Sequence, residues 1–454
     1  MNAIHRHLGV GAVLLAVAWS TGCTEELTVP NFNNPAREDL TGTPTRGTLA
    51  AAVQGLVAAQ RGLKEGMVGR LGVWGREGYD LRPEEPRTTT DALIDPIDPI
   101  NGGLFFGGQY TQIAGINTVL TAVENASVLT DTEKNAIRGF VKTLKADAYW
   151  QMIIARPIGM GIPLDPNPDP NAELTPISSA AEVHQYINSL YDEALSDLQS
   201  GGSSFPFQLP SGFDGYADPG SFAQVNRALK ARALKYQGQW NDVLTTLGQS
   251  FIDASGDMDE GVYFNHSTIS GDAPNGFFST VSHFAHPRVR ANAQQQPSGD
   301  LDQRVLDKTK VIPAFTLYEI TVTEDMDVYQ SLTAAFPWIT NDELLLIRAE
   351  ANAALGNDGA ALADVNAVRE ESGGLAPLAS FSGDPLDEIL YNKLLSLLWE
   401  GGFAYLDMRQ YDRLDELPRA RPNHGVYPGF PYPQNECLAR DISGQPECGT
   451  FFAQ

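Results

Sequence analysis

The sequence predicts a mainly α-helical protein, a scaffold of stacked helical hairpins interrupted by two long irregular insertions. Three observations carry that expectation. Apolar residues recur at intervals of three and four in one segment after another, alanines mark the seams between successive helical segments, and glycine and proline, 43 and 29 in 454 residues, gather largely between those segments.

The clearest hairpin runs from Pro337 to Gly374, PWITNDELLLIRAEANAALGNDGAALADVNAVREESGG. Thr340 and Glu343 have the spacing of a capping box, and Ile339 and Leu344 that of a hydrophobic staple, which predicts a helix from Asn341. Leu344, Ile347, Ala351 and Leu355 share one face, and Gly356 supplies a residue that tolerates positive φ at its end. A second helix follows with Ala361, Val365 and Val368 on one stripe, stopped by Gly373 and Gly374. Ala349 and Ala361 stand at the separation that lets the two helices of a tetratricopeptide hairpin approach closely, and Ala353 and Ala354 add to the seam. Arg348 and Glu350 are expected to pair across it. Such a hairpin cannot bury its apolar face alone, so neighbours must stack beside it.

Residues 1–22 carry Arg6, the apolar run LGVGAVLLAVAW and then small residues, the pattern of a secretory signal. Ser20-Thr21-Gly22-Cys23 resembles a lipoprotein processing site, in which Cys23 receives the lipid; an ordinary cleaved signal is the other reading. Glu25 and Glu26 are not an inner-membrane retention signal, which points to the outer membrane. Residues 23–44 contain too many breakers for regular structure and read as a tether. Residues 45–454 read as a single helical domain with insertions near 64–108 and 256–337.

Within that domain a first helix is expected from Thr45 to Leu63. The segment after it, rich in Gly, Pro and Asp, carries Trp74, Tyr79, Asp80 and Arg82, and long irregular loops in compact domains are usually functional. Ile113, Ile116, Leu120 and Val123 predict a helix over 109–124. Ile137, Phe140, Leu144 and Ala148 predict its partner from Asp131, with Thr130 and Glu133 as a capping box. Another helix spans 179–199, with Val183, Ile187, Leu190 and Leu198 apolar. Ser221 to Leu247 forms a third hairpin, broken at Gly238 and resumed at Trp240. The second insertion alternates aromatics with breakers, and VIPAFTLYEITVTED is expected to pair as short strands. A last helix starts at Asp384-Pro385, a cap followed by a first-turn proline. Leu390, Leu394, Leu397 and Gly401 line one face of it, and it runs on into WEGGFAYLDMRQYDRLDELP.

Fifty-six acidic residues against 31 basic give a net charge of -25, which repels phosphate backbones and argues against nucleic acid as a partner. With Cys23 assigned to lipid, Cys437 and Cys448 remain close together in a Gly/Pro-containing loop, and a disulfide is expected in an oxidising compartment. Metal binding is the alternative, but two cysteines without a nearby histidine pair make a poor site.

Five segments together resemble the SusD/RagB family of outer-membrane nutrient-binding lipoproteins. They are CTEELTVPNFNNP, RPIGMGIPLD, LLLIRAEANAALG with DVNAVRE, WEGGFAYLDMRQYDRLDELP and FPYPQNECLAR. The order is the family's, and the likeness covers nearly the whole chain after the signal. Phe403 and Ala404 depart from it, standing where family members commonly carry a basic residue and a tryptophan. The resemblance implies a lipid-anchored helical scaffold that serves as a lid on a SusC-like TonB-dependent transporter, captures oligosaccharides or peptides, and performs no chemistry.

A glycan site needs aromatic faces for sugar rings and Asp, Asn, Arg or Gln for hydroxyls. Trp74, Tyr79, Asp80 and Arg82 supply those types in the first insertion and are the candidate ligand-binding residues, with packing of the loop as the structural alternative for Trp74. Phe277, Phe278 and His283 form a poorer candidate set, and Trp338 reads as core. Glu400 and Asp407, seven apart on an expected helix, have the residue types of a glycosidase pair, but they read as packing residues with Arg409 and Arg413 as partners. His283 and His286 lack an acidic third ligand in helical register, so no metal or other cofactor is expected. The competing functions are a secreted glycoside hydrolase and a helical-repeat scaffold for protein partners.

Overall fold

A computed structural model of the chain describes residues 40–100, 102–167, 169, 171–279 and 282–451. The signal, Cys23 and all of the tether but residues 40–44 lie outside these. The helices are α1 (Arg46–Trp74), α2 (Arg87–Leu93), α3 (Gly107–Asn125), α4 (Asp131–Ile154), α5 (Ala180–Gln199), α6 (Pro219–Tyr236), α7 (Trp240–Leu247), α8 (Gly276–Ser279), α9 (Arg288–Ala291), α10 (Gln303–Lys308), α11 (Asn341–Ala354), α12 (Asp358–Glu371), α13 (Pro385–Ser396), α14 (Phe403–Gln410) and α15 (Gln434–Ala439). The fold is mainly α. None of the described helices is long and apolar enough to cross a membrane.

The hairpins stack in sequence order. α3 packs on α4, α4 on α5, α5 on α6 and α6 on α7, while α11 packs on α12 and also on α7 and α13. Their starts follow local chemistry. Thr130 and Glu133 close a capping box on α4, and Ser179 and Glu182 close another on α5. Asp218 and Asp384 cap α6 and α13, each followed by a first-turn proline. Gly356, with φ 75°, ends the first helix of the α11–α12 hairpin, and Ala349 and Ala361 are fully buried in its seam.

Strands β1 (Gly78–Asp80), β5 (His283–Ala285), β7 (Ile320–Met326) and β6 (Thr309–Leu317) form an antiparallel sheet in that order. The sheet joins the two insertions, pairing Tyr79 with Phe284 and Phe284 with Asp325. β6 and β7 form the hairpin expected from VIPAFTLYEITVTED. They are joined at Tyr318 and Glu319, both at positive φ, 50° and 60°, the conformation that suits the twist of a tight hairpin. β2 (Ile162–Pro163) pairs with β3 (Ile177–Ser178), and β4 (Gly261–Phe264) pairs with β8 (Phe336–Thr340), which leads directly into α11. One apolar core extends from Leu40 to Cys448, and Cys437 and Cys448 form a disulfide.

Several sequence expectations are corrected. The first helix does not stop at Leu63 but continues to Trp74, so the first insertion begins as helix. Gly66, Gly69 and Gly72, which read as loop residues, lie within α1. A Cβ on Gly72 would sit 2.9 Å from the ring of Trp399, so the glycine permits a close approach that outweighs its poor helix propensity.

The Thr340–Glu343 capping box does not form. Thr340 caps in position only, because Glu343 is drawn into the core by the guanidinium of Arg232, at 2.6 and 2.7 Å, while Asp342 takes both the Thr340 hydroxyl and the Glu343 N–H.

Arg348 does cross the seam, but to Asp364 at 2.6 Å; Glu350 pairs instead with Lys393 and Lys235. Leu355, at the frayed end of α11, is 36% exposed.

The last helix breaks before the Trp-Glu-Gly-Gly run, at Ser396, where Trp399 and Gly402 adopt positive φ of 61° and 66°. Glu400 therefore precedes α14 and is bound to Lys308 at 2.7 Å, whereas Asp407 lies within α14 between Lys235 and Lys393. The arginines proposed as their partners act elsewhere. Arg409 donates to the carbonyls of Ile154, Arg156 and Pro428, and Arg413 pairs with Asp387 and Glu416.

Candidate functional site

The segment WGREGYDLR, from Trp74 to Arg82, divides between core and surface. Trp74 is 2% exposed and stacks on Phe430 with centroids 4.3 Å apart, flanked by Tyr405 and Tyr427. Arg76, at φ 57°, turns the chain and donates to the carbonyls of Val73 and Trp74, satisfying acceptors that a helix end leaves open. Glu77 accepts the N–H groups of Trp399 and Ala404 at 2.9 and 3.1 Å and ties the segment to the start of α14. Strand alternation then sends Tyr79 inward, against His286, and Asp80 to the other face. Burial pushes the Tyr79 hydroxyl up to about 12. Trp74 and Tyr79, expected as ligand platforms, are packing residues in this structure.

Asp80 and Arg82 line an open cavity of about 550 Å³. Arg82 donates two parallel hydrogen bonds of 2.8 Å to the Asp80 carboxylate, which also accepts from the Ser282 hydroxyl at 2.9 Å. The Tyr318 hydroxyl, at the tip of the β6–β7 hairpin, donates to the Arg82 carbonyl and fixes the hairpin to this loop.

The same cavity is lined by two half-buried rings, Phe105 and Phe277. Phe277 stacks on Tyr329 at 5.4 Å and on Phe336 at 6.1 Å and meets His283 and Trp399 edge-on, and Phe105 meets Phe430 edge-on at 5.1 Å, so both rings are anchored in the core. The floor is the surface of α1. Gly62, Gly66 and Gly69 line it at helical spacing, and a Cβ on Gly66 or Gly69 would lie 4.0 Å from the Phe105 ring or 3.9 Å from the Phe277 ring. Glu65, also on the wall, stands 2.6 Å from Nε2 of buried His266, and Arg70, Thr88 and His283 are further polar residues of the lining.

The site thus draws on both insertions, with Asp80 and Arg82 from the first and Phe277 and His283 from the second. Phe278 is 42% exposed. Phe105 and the glycine stripe were not among the sequence candidates. The signal for them was present in GGLFFGG, two aromatics between glycine pairs, and in glycines spaced four and three apart along one helix.

The histidines of the HxxH pair face different environments. His283 lines the cavity, while His286 is buried behind it and held far below the usual imidazole range, at about 2, by burial and then by the charges of Arg288 and Arg76. Among the described residues no group of three His, Cys, Asp or Glu side chains is placed to hold a metal ion.

No family model matches the sequence, and no curated protein matches it. Solved structures do match. A SusD superfamily protein from Bacteroides vulgatus is similar over 88% of this chain and 98% of its own, with a TM-score of 0.66 at 14% identity. A SusD-like carbohydrate-binding protein from Bacteroides fragilis is similar over 89% and 93%, with a TM-score of 0.64 at 17% identity. The fold is SusD-like. A surface glycan-binding protein from Bacteroides uniformis shares it, over 88% and 98% of the two chains, with a TM-score of 0.61 at 14% identity. Each of these solved chains is covered almost in full. In this SusD-like chain the insertions supply every wall of the cavity except the α1 floor.

Proposed function

We propose that this SusD-like protein is a member of the SusD/RagB family that binds nutrient oligosaccharides in the cavity between Asp80–Arg82 and the Phe105 and Phe277 rings. The observation that carries the reading is the presence of two core-anchored aromatic rings and a fixed, partly exposed ion pair in the lining of one open cavity. Sugar rings present apolar faces to aromatics and hydroxyls to planar charged groups, and a cavity of this volume suits a small ligand. The binding named for the relatives from B. fragilis and B. uniformis supports the same class of ligand. Peptides are the second class the site is tested against.

The reading extends to no catalysis, since the carboxylates in the wall, Glu65 and Asp80, are each engaged by a base, His266 or Arg82, rather than poised as a general acid and a nucleophile. It also extends to attachment at the outer membrane through lipid on Cys23 and to delivery of the ligand to a SusC-like TonB-dependent transporter. Calorimetric titration with a panel of oligosaccharides and peptides, with product analysis on the same samples, tests the core of it. Heat of binding without product is expected. Product release would replace the reading with a glycoside hydrolase, and absence of both would leave a scaffold for protein partners. Lipid labelling that is lost in Cys23→Ala tests the anchor.

A further inference from the structure

A second cavity, of about 580 Å³, opens between the 255–259 loop, α10, the end of α12 and the end of α13, and shares no residue with the first. Five carboxylates line it, those of Asp257, Asp259, Asp307, Asp342 and Glu371. Its two cations are already engaged. Arg304 is forked on Asp302 at 2.6 and 3.0 Å, and Lys308 is held by Glu400 at 2.7 Å and by the Ser396 carbonyl.

Asp342 stands apart from the exposed rim because it is only 5% exposed. Its Oδ1 accepts from the Thr340 hydroxyl at 2.6 Å and from the Glu343 N–H at 2.7 Å. Among the described residues no donor meets its Oδ2 and no cation lies within ion-pair distance of it, although the charge of Lys308, in the same wall, acts on it from further away. A buried carboxylate of this kind is ordinarily matched by a cation or a full set of donors. Burial, followed by the charge of Glu400, pushes its carboxyl up to about 7.

We propose that this cavity binds a small ligand carrying a primary ammonium group, seated on Oδ2 of Asp342 and surrounded by Asp257 and Asp259. An ammonium carries three donors that spread over several acceptors, and the hydroxyls of Ser255 and Ser372 stand in the same wall. The wall already holds one ammonium, that of Lys308, by a carboxylate and a carbonyl. A divalent metal fits less well, since no three ligating side chains converge there among the described residues.

The test is calorimetric titration of the full protein with glucosamine and, separately, N-acetylglucosamine, which differ in whether the amine carries a charge. Glucosamine is expected to bind at least about tenfold more tightly, with the preference lost in Asp342→Asn. Asp342→Asn retains the Oδ1 acceptor; should it fail to fold, Asp259→Asn on the exposed rim is expected to lower the preference several-fold. Arg82→Ala, in the first cavity, is expected to leave the preference intact, which keeps this site distinct from the proposed glycan site. Equal binding of the two sugars, no binding of either, a preference that survives Asp342→Asn and Asp259→Asn, or binding of calcium chloride in place of the amine would each overturn the proposal.

Discussion

Arg82 closes a two-pronged grip on the carboxylate of Asp80, two residues before it, with both hydrogen bonds at 2.8 Å. Because the Arg82 side chain is 31% exposed, the pair stabilises the fold by only about 0–1 kcal/mol. In the proposed function its role is to present a fixed planar group to a ligand. Arg82→Ala is therefore expected to weaken oligosaccharide binding about tenfold to a hundredfold while leaving the unfolding midpoint nearly unchanged. Titration and denaturant unfolding of the same preparation check the two halves of that expectation.

The aromatic residues should separate by role. Trp74, stacked on Phe430 in the core, is expected to cost about 3–5 kcal/mol of stability when changed to alanine. A volume-reducing but aromatic change, Trp74→Phe, is expected to leave ligand affinity intact. Phe105→Ala removes a half-buried ring from the cavity wall, so its larger effect should be on affinity. A Trp74→Phe variant that folds normally but no longer binds would restore Trp74 as a ligand platform.

Asp407 sits between two buried ammonium groups, those of Lys235 and Lys393, which also share Glu350. Burial alone would raise its carboxyl, but the two lysines outweigh burial and hold it below the usual carboxylate range. Asp407→Ala leaves two cations on one carboxylate and is expected to cost about 3–5 kcal/mol. Denaturant unfolding measures that loss. A variant as stable as the parent would show that the cluster is not a structural pillar.

Glu77 provides the pH test. Burial pushes its carboxyl up from 4.5 to about 7, opposed by the N–H groups of Trp399 and Ala404. Because the folded-state value is raised, the protonated form favours folding; the contribution is complete below about 4.5 and is lost as pH rises through about 7. The shift corresponds to about 3 kcal/mol. Unfolding of the parent and of Glu77→Gln across that window should diverge, the parent losing stability relative to the variant as pH rises. Parallel curves would assign the pH response to other groups.

What could be read from sequence was local. Thr130 and Glu133 fix the start of α4, Asp384 and Pro385 fix the start of α13, and Ala349 and Ala361 mark a seam, each through chemistry within a few residues or one hairpin. What could not be read depends on distant partners. Gly72 stays helical because Trp399 needs the space, and Glu343 abandons its cap for Arg232, more than a hundred residues earlier in the chain. The candidate site shows the same division. Asp80 and Arg82, which line the cavity, stood out because the first insertion is polar and irregular, while Trp74 lies in the core because α1 runs eleven residues further than its glycines suggest. His283 joins the same cavity through the pairing of β1 with β5, which sets it opposite Asp80 and which no local pattern announces.

The most direct measurement is a crystal structure of the protein with its tightest-binding oligosaccharide. The expected result is a sugar ring against Phe105 or Phe277, with hydroxyls bonded to the Asp80–Arg82 pair. A saccharide bound elsewhere, with this cavity holding only water, would contradict the assignment of the site.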